Sequence, residues 1–318
     1  MTLFYFSIFI ISFIILVYSS KGLVASINIL ARFLGWKEFV VAFFTMAIAA
    51  TIPNLTIGIS SALHKIPHLS YSEITGGNII DLTITMALAV LISKRGLKLV
   101  SRTVQGTAIS TLLLSILSLI LTLDKEISRI DGLILILSFI MYSFWLFGRK
   151  DRFSKIYKKT KKPLGLKGIF HYLFEIIFLI ILLLLAAECI VRSVIYFSSL
   201  LNLPLVLIGV LIVSLGNALP ELFFSVQAVK KGKSWMVAGN LMGAVIFPMT
   251  LVVGLVALIC PIKVSGLSVF VIGRLFLIIA AVFFLIFIRT GKRITKKEAV
   301  FLLFIYFAFI LTEVLFYI

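Results

Sequence analysis

The segment SLGNALPELFFS, Ser214 to Ser225, places an amide, a proline and a carboxylate close together in an otherwise apolar stretch. A carboxylate at such depth is costly unless a proton, a metal ion or a basic group neutralises it. Glu221 is therefore the first candidate for chemistry. Its neighbour Pro220 has no backbone N–H, so a carbonyl one turn earlier loses its helical partner and becomes available as an oxygen ligand. Carboxylate and carbonyl oxygens together suit a hard cation such as Ca2+ or Na+, whereas a soft metal calls for thiolates or imidazoles.

The same ingredients recur elsewhere. AATIPNLTIGISSALHK carries Pro53 and Asn54, while TGGNIIDLTITMALAVL and VAGNLMGAVIFPMTLVVG carry Asn78 and Asn240, each behind a glycine, Gly77 or Gly239, that permits close helix approach. Asp81 follows Asn78 by three positions, about one turn further on the same helix face. If its helix packs against that of Glu221, the two acids can share a divalent ion; otherwise Asp81 is a protonated or hydrogen-bonded structural acid. Thr51, Thr83, Ser214 and Ser225 offer hydroxyl oxygens or simply pack helices. Arg274 is the only deep basic candidate to pair with Glu221, and Glu188 has Arg192 at i+4 for an intrahelical ion pair. Glu175, Glu298 and Glu313 read as interfacial acids near helix ends. His64, His68 and His171 are too dispersed for an imidazole metal site, and Cys189 and Cys260 read as buried thiols. No nucleophile–base arrangement is offered, so neither an enzyme nor a resident cofactor is expected.

The elements that must hold these residues follow from composition. The 318 residues are 62% hydrophobic and 13% charged, with mean hydropathy +1.22, far from a soluble domain and expected of a polytopic, all-α membrane protein. Ten apolar runs, near 2–20, 39–63, 72–93, 105–123, 130–147, 168–194, 203–229, 235–260, 265–288 and 298–317, are each long enough to cross the hydrocarbon. MTLFYFSIFI lacks a basic n-region, so the first run is expected to be a span and not a leader.

The net charge of +18 is not spread evenly. Of the 30 Lys and Arg, 24 fall in the odd-numbered gaps between spans and 5 in the even-numbered ones, with Arg274 inside a span. This is the positive-inside pattern, which puts the odd gaps in the cytoplasm and both termini outside. The central segment GRKDRFSKIYKKTKKPLGLK, residues 148–167, is then a cytoplasmic linker facing anionic lipid; no reading motif argues for nucleic acid.

The linker separates two sets of five spans, residues 1–147 and 168–318. Five is odd, so the second set enters the membrane in the opposite sense. Pro53 matches Pro220 and Asn54 matches Glu221 at an offset of 167, and Asn78 matches Asn240 at 162, which makes the first hairpin five residues longer. Inverted repeats with proline-interrupted spans are the design of secondary transporters whose site lies near the midplane.

At these motifs the chain resembles the cation/Ca2+ exchanger superfamily, which includes the sodium/calcium exchangers and is built from two inverted five-helix repeats with patterns close to G-T-S-x-P-E and G-N-x-x-G-S-N. The likeness is strongest at 46–62, 76–90, 214–232 and 239–254. It implies that Glu221 is the principal carboxylate, that Pro220, Asn217, Asn240, Asn78 and backbone oxygens around Thr51 and Ser214 line the ion sites, and that spans one and six slide against the other eight. Departures are marked: Asn54 stands for the second glutamate, Ala50 and Asn217 for threonines, Asp81-Leu82-Thr83 and Gly243-Ala244-Val245 for G-S-N, and Pro248 for a polar or acidic ligand. The resemblance implies a Na+- or H+-coupled Ca2+ antiporter, and the short loops, compact size and lack of a cleavable leader favour a prokaryotic cytoplasmic membrane. Its thinned site leaves two other readings open: transport of a monovalent cation or other solute, and a non-transporting scaffold.

Overall fold

The computed structural model describes residues 1–33, 38–93, 96–99, 102–147, 166–230, 234–264, 267–291 and 293–317. Most of the basic linker, residues 148–165, lies outside the described residues. Among the described residues, ten helical segments follow one another, matching the ten apolar runs. The first is Thr2–Phe33, the second Glu38–Leu63, the third Pro67–Ile92, the fourth Arg102–Ile120 and the fifth Arg129–Phe147. The sixth is Leu166–Leu201, the seventh Leu205–Lys230, the eighth 234–259, the ninth Leu267–Gly291 and the tenth Lys296–Tyr317. Among the described residues, eight of them are long and apolar enough to span a membrane, and Val104–Ile120 is apolar but shorter.

Four two-residue strands join the ends of the bundle: β1 (Leu97–Lys98), β2 (Glu126–Ile127), β3 (Ile262–Lys263) and β4 (Arg293–Ile294). β1 pairs antiparallel with β4, and β2 with β3, aligning Leu97 with Ile294 and Glu126 with Lys263. The loop after the third span thus meets the loop after the ninth, and that after the fourth meets that after the eighth. Odd gaps pair with odd and even with even, as alternating crossings require.

The prolines do not interrupt their helices. The second span stays α-helical through Pro53, and the seventh stays α-helical from Ser214 to Lys230 through Pro220. Among the described residues, the helices depart from α geometry in π turns at Asp81–Thr85, Gly209–Val213 and Pro248–Val252. A π turn shifts the hydrogen-bond ladder and exposes carbonyls. Here hydroxyls answer some of them: Thr83, Ser214 and Thr250 donate to the carbonyls of Ile79, Val210 and Ile246 at 2.5, 2.5 and 2.6 Å.

These turns fix the register between the halves. Glu38 and Leu205, Leu63 and Lys230, Pro67 and Ser234, Asp81 and Pro248, and Ile92 and Ile259 are element boundaries that each stand 167 residues apart. The first hairpin is therefore not five residues longer. Asn78 corresponds to Val245, Asn240 corresponds to Glu73, and the stretch standing opposite Gly239-Asn240-Leu241-Met242-Gly243-Ala244-Val245 is Ser72-Glu73-Ile74-Thr75-Gly76-Gly77-Asn78. Residue identity aligns the two Gly-Asn pairs, whereas the backbone aligns the π turns.

The first and sixth spans pack mainly on one another and share an apolar core with part of the second, including Leu16, Ile57, Ala187 and Val191. A larger core joins the third, seventh, eighth, ninth and tenth spans through Ile79, Leu82, Val210, Leu241, Val252, Phe284 and Phe309.

Candidate functional site

The third and seventh spans cross where neither carries a side chain. A Cβ on Gly76 would run into the Val210 carbonyl oxygen, and one on Gly209 would run into the Ser72 hydroxyl. Glycine at both positions lets the π turn of the seventh span lie directly on the third. Gly77, expected to serve this purpose, instead faces open space and lines a cavity.

That cavity, of about 20 Å3, is bounded by Asn54 of the second span, Asn78 and Asp81 of the third, Asn217 and Glu221 of the seventh, and Ala244 of the eighth, with Ile74, Gly77 and Ala218 between them. It has room for about one water-sized occupant. Glu221 and Asp81 are 8% and 4% exposed, and Glu221 Oε2 and Asp81 Oδ1 each lack a hydrogen-bond partner. Two buried carboxylates on one small cavity repel each other unless a cation or a proton stands between them.

Amides organise the rest of the wall. Asn217 donates from Nδ2 to Asn54 Oδ1 at 2.7 Å and to Glu73 Oε2 at 2.8 Å, tying the second, third and seventh spans together. Asn78 Nδ2 donates to the Val245 carbonyl at 3.3 Å, a bond between positions equivalent in the two repeats. Glu73 is fully buried, with Oε1 unpartnered. It is a functional candidate that sequence reading missed; the signal was the S-E-I-T-G-G-N stretch, which the 167 register sets against G-N-L-M-G-A-V.

The other expected residues are placed as follows. Thr51 and Ser214 are buried but are not among the residues bounding the cavity; Ser214 is spent on the Val210 carbonyl and wedged against Gly76. Asn240 is partly exposed and also stands off the cavity, as do Pro53 and Pro220. Arg274 does not reach Glu221: its Nε donates to the Phe270 carbonyl at 2.8 Å and its Nη1 to the Thr122 hydroxyl. Among the described residues no three His, Cys, Asp or Glu side chains converge to hold a metal ion. A cation here would have two carboxylates, with amide and carbonyl oxygens completing its shell.

Glu188 forms the expected pair with Arg192 at 2.7 Å and accepts as well from Ser60 at 2.8 Å, with His64 Nε2 also 2.8 Å away, joining the sixth span to the second. Glu313 departs most from expectation. It is fully buried, and neither of its oxygens has a partner.

The comparisons with known proteins agree with this architecture. The chain is 27% identical to "Sodium/calcium exchanger MaX1" of Methanosarcina acetivorans over 98% of this chain and 99% of that one. It is 24% identical to "Inner membrane protein YrbG" of Escherichia coli over 82% of each. Among solved structures it is similar to the sodium-calcium exchanger NCX_Mj, with TM-score 0.65, 24% identity and 98% and 99% of the two chains covered. It is similar also to the H+/Ca2+ exchanger CAX, with TM-score 0.77, 14% identity and coverage of 98% and 86%. The profile of the family described as "Sodium/calcium exchanger protein" matches residues 4–148 and 171–315, two stretches that begin and end 167 residues apart like the helices themselves, and the chain is thus an integral membrane protein belonging to that family.

Proposed function

We propose that this chain is a secondary active cation antiporter, exchanging Ca2+ for Na+ or H+ at the cavity between the second, third, seventh and eighth spans. One observation carries the reading: Glu221 and Asp81, from opposite repeats, meet on one buried cavity with an oxygen of each unpartnered. Cation binding requires ionised carboxylates, and a competing ion or proton on the same oxygens couples the two fluxes. The names of the relatives, a sodium/calcium exchanger and an H+/Ca2+ exchanger, support Ca2+ as cargo. Asn54, Asn78 and Asn217 complete the shell without adding charge. The archaeal and bacterial relatives support a prokaryotic cytoplasmic membrane, and the charge asymmetry of the loops supports both termini outside and the linker against anionic lipid.

A second reading has its own observation. With Asn54 in place of an acid and no three-acid cluster among the described residues, the shell has the low charge that suits a monovalent cation. Uptake of radioactive calcium into proteoliposomes, driven by an outward Na+ gradient or separately by an outward H+ gradient, decides between them. Uptake under either gradient supports Ca2+ exchange and names the coupling ion. No calcium uptake, with Na+-for-H+ exchange by the same vesicles, would assign the monovalent reading instead.

A further inference from the structure

The tenth span carries an acid that the exchange cavity does not use. Glu313 is completely buried, and neither Oε1 nor Oε2 has a hydrogen-bond partner. A Cβ built on Gly273 of the ninth span would lie 3.7 Å from Glu313 Oε1, 3.3 Å from the Thr75 methyl of the third span and 4.0 Å from a Val210 methyl of the seventh. Gly273 and Thr75 are also on the wall of a second cavity, of about 10 Å3, with Tyr71, Ser72, Val206, Val210 and Phe270. One carboxyl oxygen therefore lies against Gly273, on the wall of a small void at the junction of four spans, and Glu313 is not among the residues around Glu221.

The surroundings decide what it binds. The Ser72 and Thr75 hydroxyls donate to the carbonyls of Leu69 and Tyr71 on their own helix, and the Tyr71 hydroxyl is bonded to Ser118. The tenth span packs on the ninth and on the third span's π turn and last helical segment. On the ninth, Arg274 is committed to Phe270 and Thr122, and Arg289 is exposed. On the third, Asp81 belongs to the exchange cavity and Glu73 is bonded to Asn217, while Met86–Ile92 carries no charge. On the seventh, whose Val210 lies closest, the acid is Glu221, on the exchange cavity. The tenth span's own Lys296, Lys297 and Glu298 are at its far end, and Tyr306 lies about two turns back. A metal ion needs several oxygens, and one carboxylate near a void this small, whose Tyr71, Ser72 and Thr75 hydroxyls are bonded elsewhere, cannot supply them. A proton needs only the carboxyl. Glu313 stands three residues from the end of its membrane-spanning stretch, Lys296–Phe316, so the path to one membrane surface is short.

The fold does not demand an acid here. At the 167 register the equivalent residue of the first repeat is Leu146, buried and apolar. We propose that Glu313 is a proton-binding site separate from the exchange cavity, loading and unloading one proton during the exchange cycle through the small void between the third, seventh, ninth and tenth spans. The proposal rests on the antiport reading for the cycle it serves but not for the binding of the proton. Because Val210 touches both Gly76 at the helix crossing and the Glu313 pocket, a shift of the seventh span that opens the exchange cavity also alters what covers the carboxyl.

Two readouts test it, the first needing no transport. Infrared titration of the purified protein, without added cation, follows the C=O stretch of protonated carboxyls in the parent, in Glu313→Gln and in Glu313→Leu, the last copying Leu146 of the first repeat should the glutamine variant fold poorly. Loss of one protonated-carboxyl band in the variants, a band that shifts in D2O, supports the site; spectra identical to the parent across the titration would overturn it. Exchange rate against pH in proteoliposomes is the second. The proposal expects the variants to exchange at alkaline pH while responding to pH less steeply than the parent. A pH profile unchanged from the parent would overturn the role in the cycle even if the band were lost. A parent that shows no exchange at all would sink the antiport reading and leave the infrared result to decide the proton site.

Discussion

The two repeats share the boundaries of their central hairpins at an offset of 167 but not their acids. In the first repeat the proline-bearing span holds Asn54 and the following span holds Asp81; in the second, the proline-bearing span holds Glu221 and the following span holds Pro248. Each repeat thus brings one carboxylate to the cavity, from opposite members of its hairpin. A backbone related by an inverted repeat offers equivalent positions in pairs; Asn54 with Glu221 and Gly77 with Ala244 both bound the cavity, whereas Pro248, the counterpart of Asp81, does not. If such a site is set by how many acids face the cavity and not by which helix supplies them, an acid moved from one wall helix to another preserves it.

The largest effect expected is at Glu221, the carboxylate that the second repeat brings to the cavity. Glu221→Gln removes a charge and keeps the shape, so exchange should be abolished while the protein elutes from detergent as a single species. Transport at the parent rate would end its assignment as a ligand. Asp81→Asn should weaken divalent-cation affinity by at least about tenfold, about 1.4 kcal/mol of binding free energy. The equivalence of the repeats is sharpened by adding Asn54→Glu to that variant. If position and not helix identity matters, the second change restores affinity; if the double variant is as weak as the single, the two repeats are not interchangeable.

Much of this was legible in the sequence. Spans, loop charge, the 167 offset at Pro53 and Pro220, and the four spans that meet at the cavity all follow from runs of apolar residues and a few motifs, because hydrocarbon thickness leaves helices little freedom. The remainder turned on contacts. Glu73 and Glu313 sit in segments whose composition reads as a helix end, and only packing shows that the neighbouring spans cover them. The Gly-Asn pairs misled because identity was a weaker guide than backbone: π turns have no sequence signature of their own, yet they set the register that pairs Asp81 with Pro248. Arg274 looked like a partner for Glu221 because both are deep, and depth says nothing about which side of a helix a group occupies.

The adjacent glycines of the third span give a smaller, structural contrast. Gly76→Ala should lower stability by about 1–3 kcal/mol, since its methyl meets the fixed Val210 carbonyl and the crossing must open. Gly77→Ala has space and should leave the unfolding temperature close to the parent, but its methyl enters the cavity wall and should reduce cation affinity. Equal stability of the two variants would mean that the seventh span can move aside, and that the close crossing does not position Glu221 against Asp81.

The smallest effect belongs to the other pair of regions, the first and sixth spans against the larger bundle. Across that boundary Glu188 of the sixth span meets Ser60 and His64 of the second, with side-chain exposures of 32% for both His64 and Glu188. A partly solvated contact of this kind, hydrogen bond or ion pair, contributes only about 0–1 kcal/mol. His64→Ala should therefore leave the unfolding midpoint nearly unchanged, because Arg192 and Ser60 still hold the carboxylate. Its rate of exchange is the sensitive readout: if the sixth span shifts against the second during the cycle, the contact breaks and re-forms, and removing it raises or lowers turnover at constant cation affinity. Turnover and affinity both equal to the parent would mean that the His64–Glu188 contact survives the whole cycle, so that the sixth span and the end of the second move as one body.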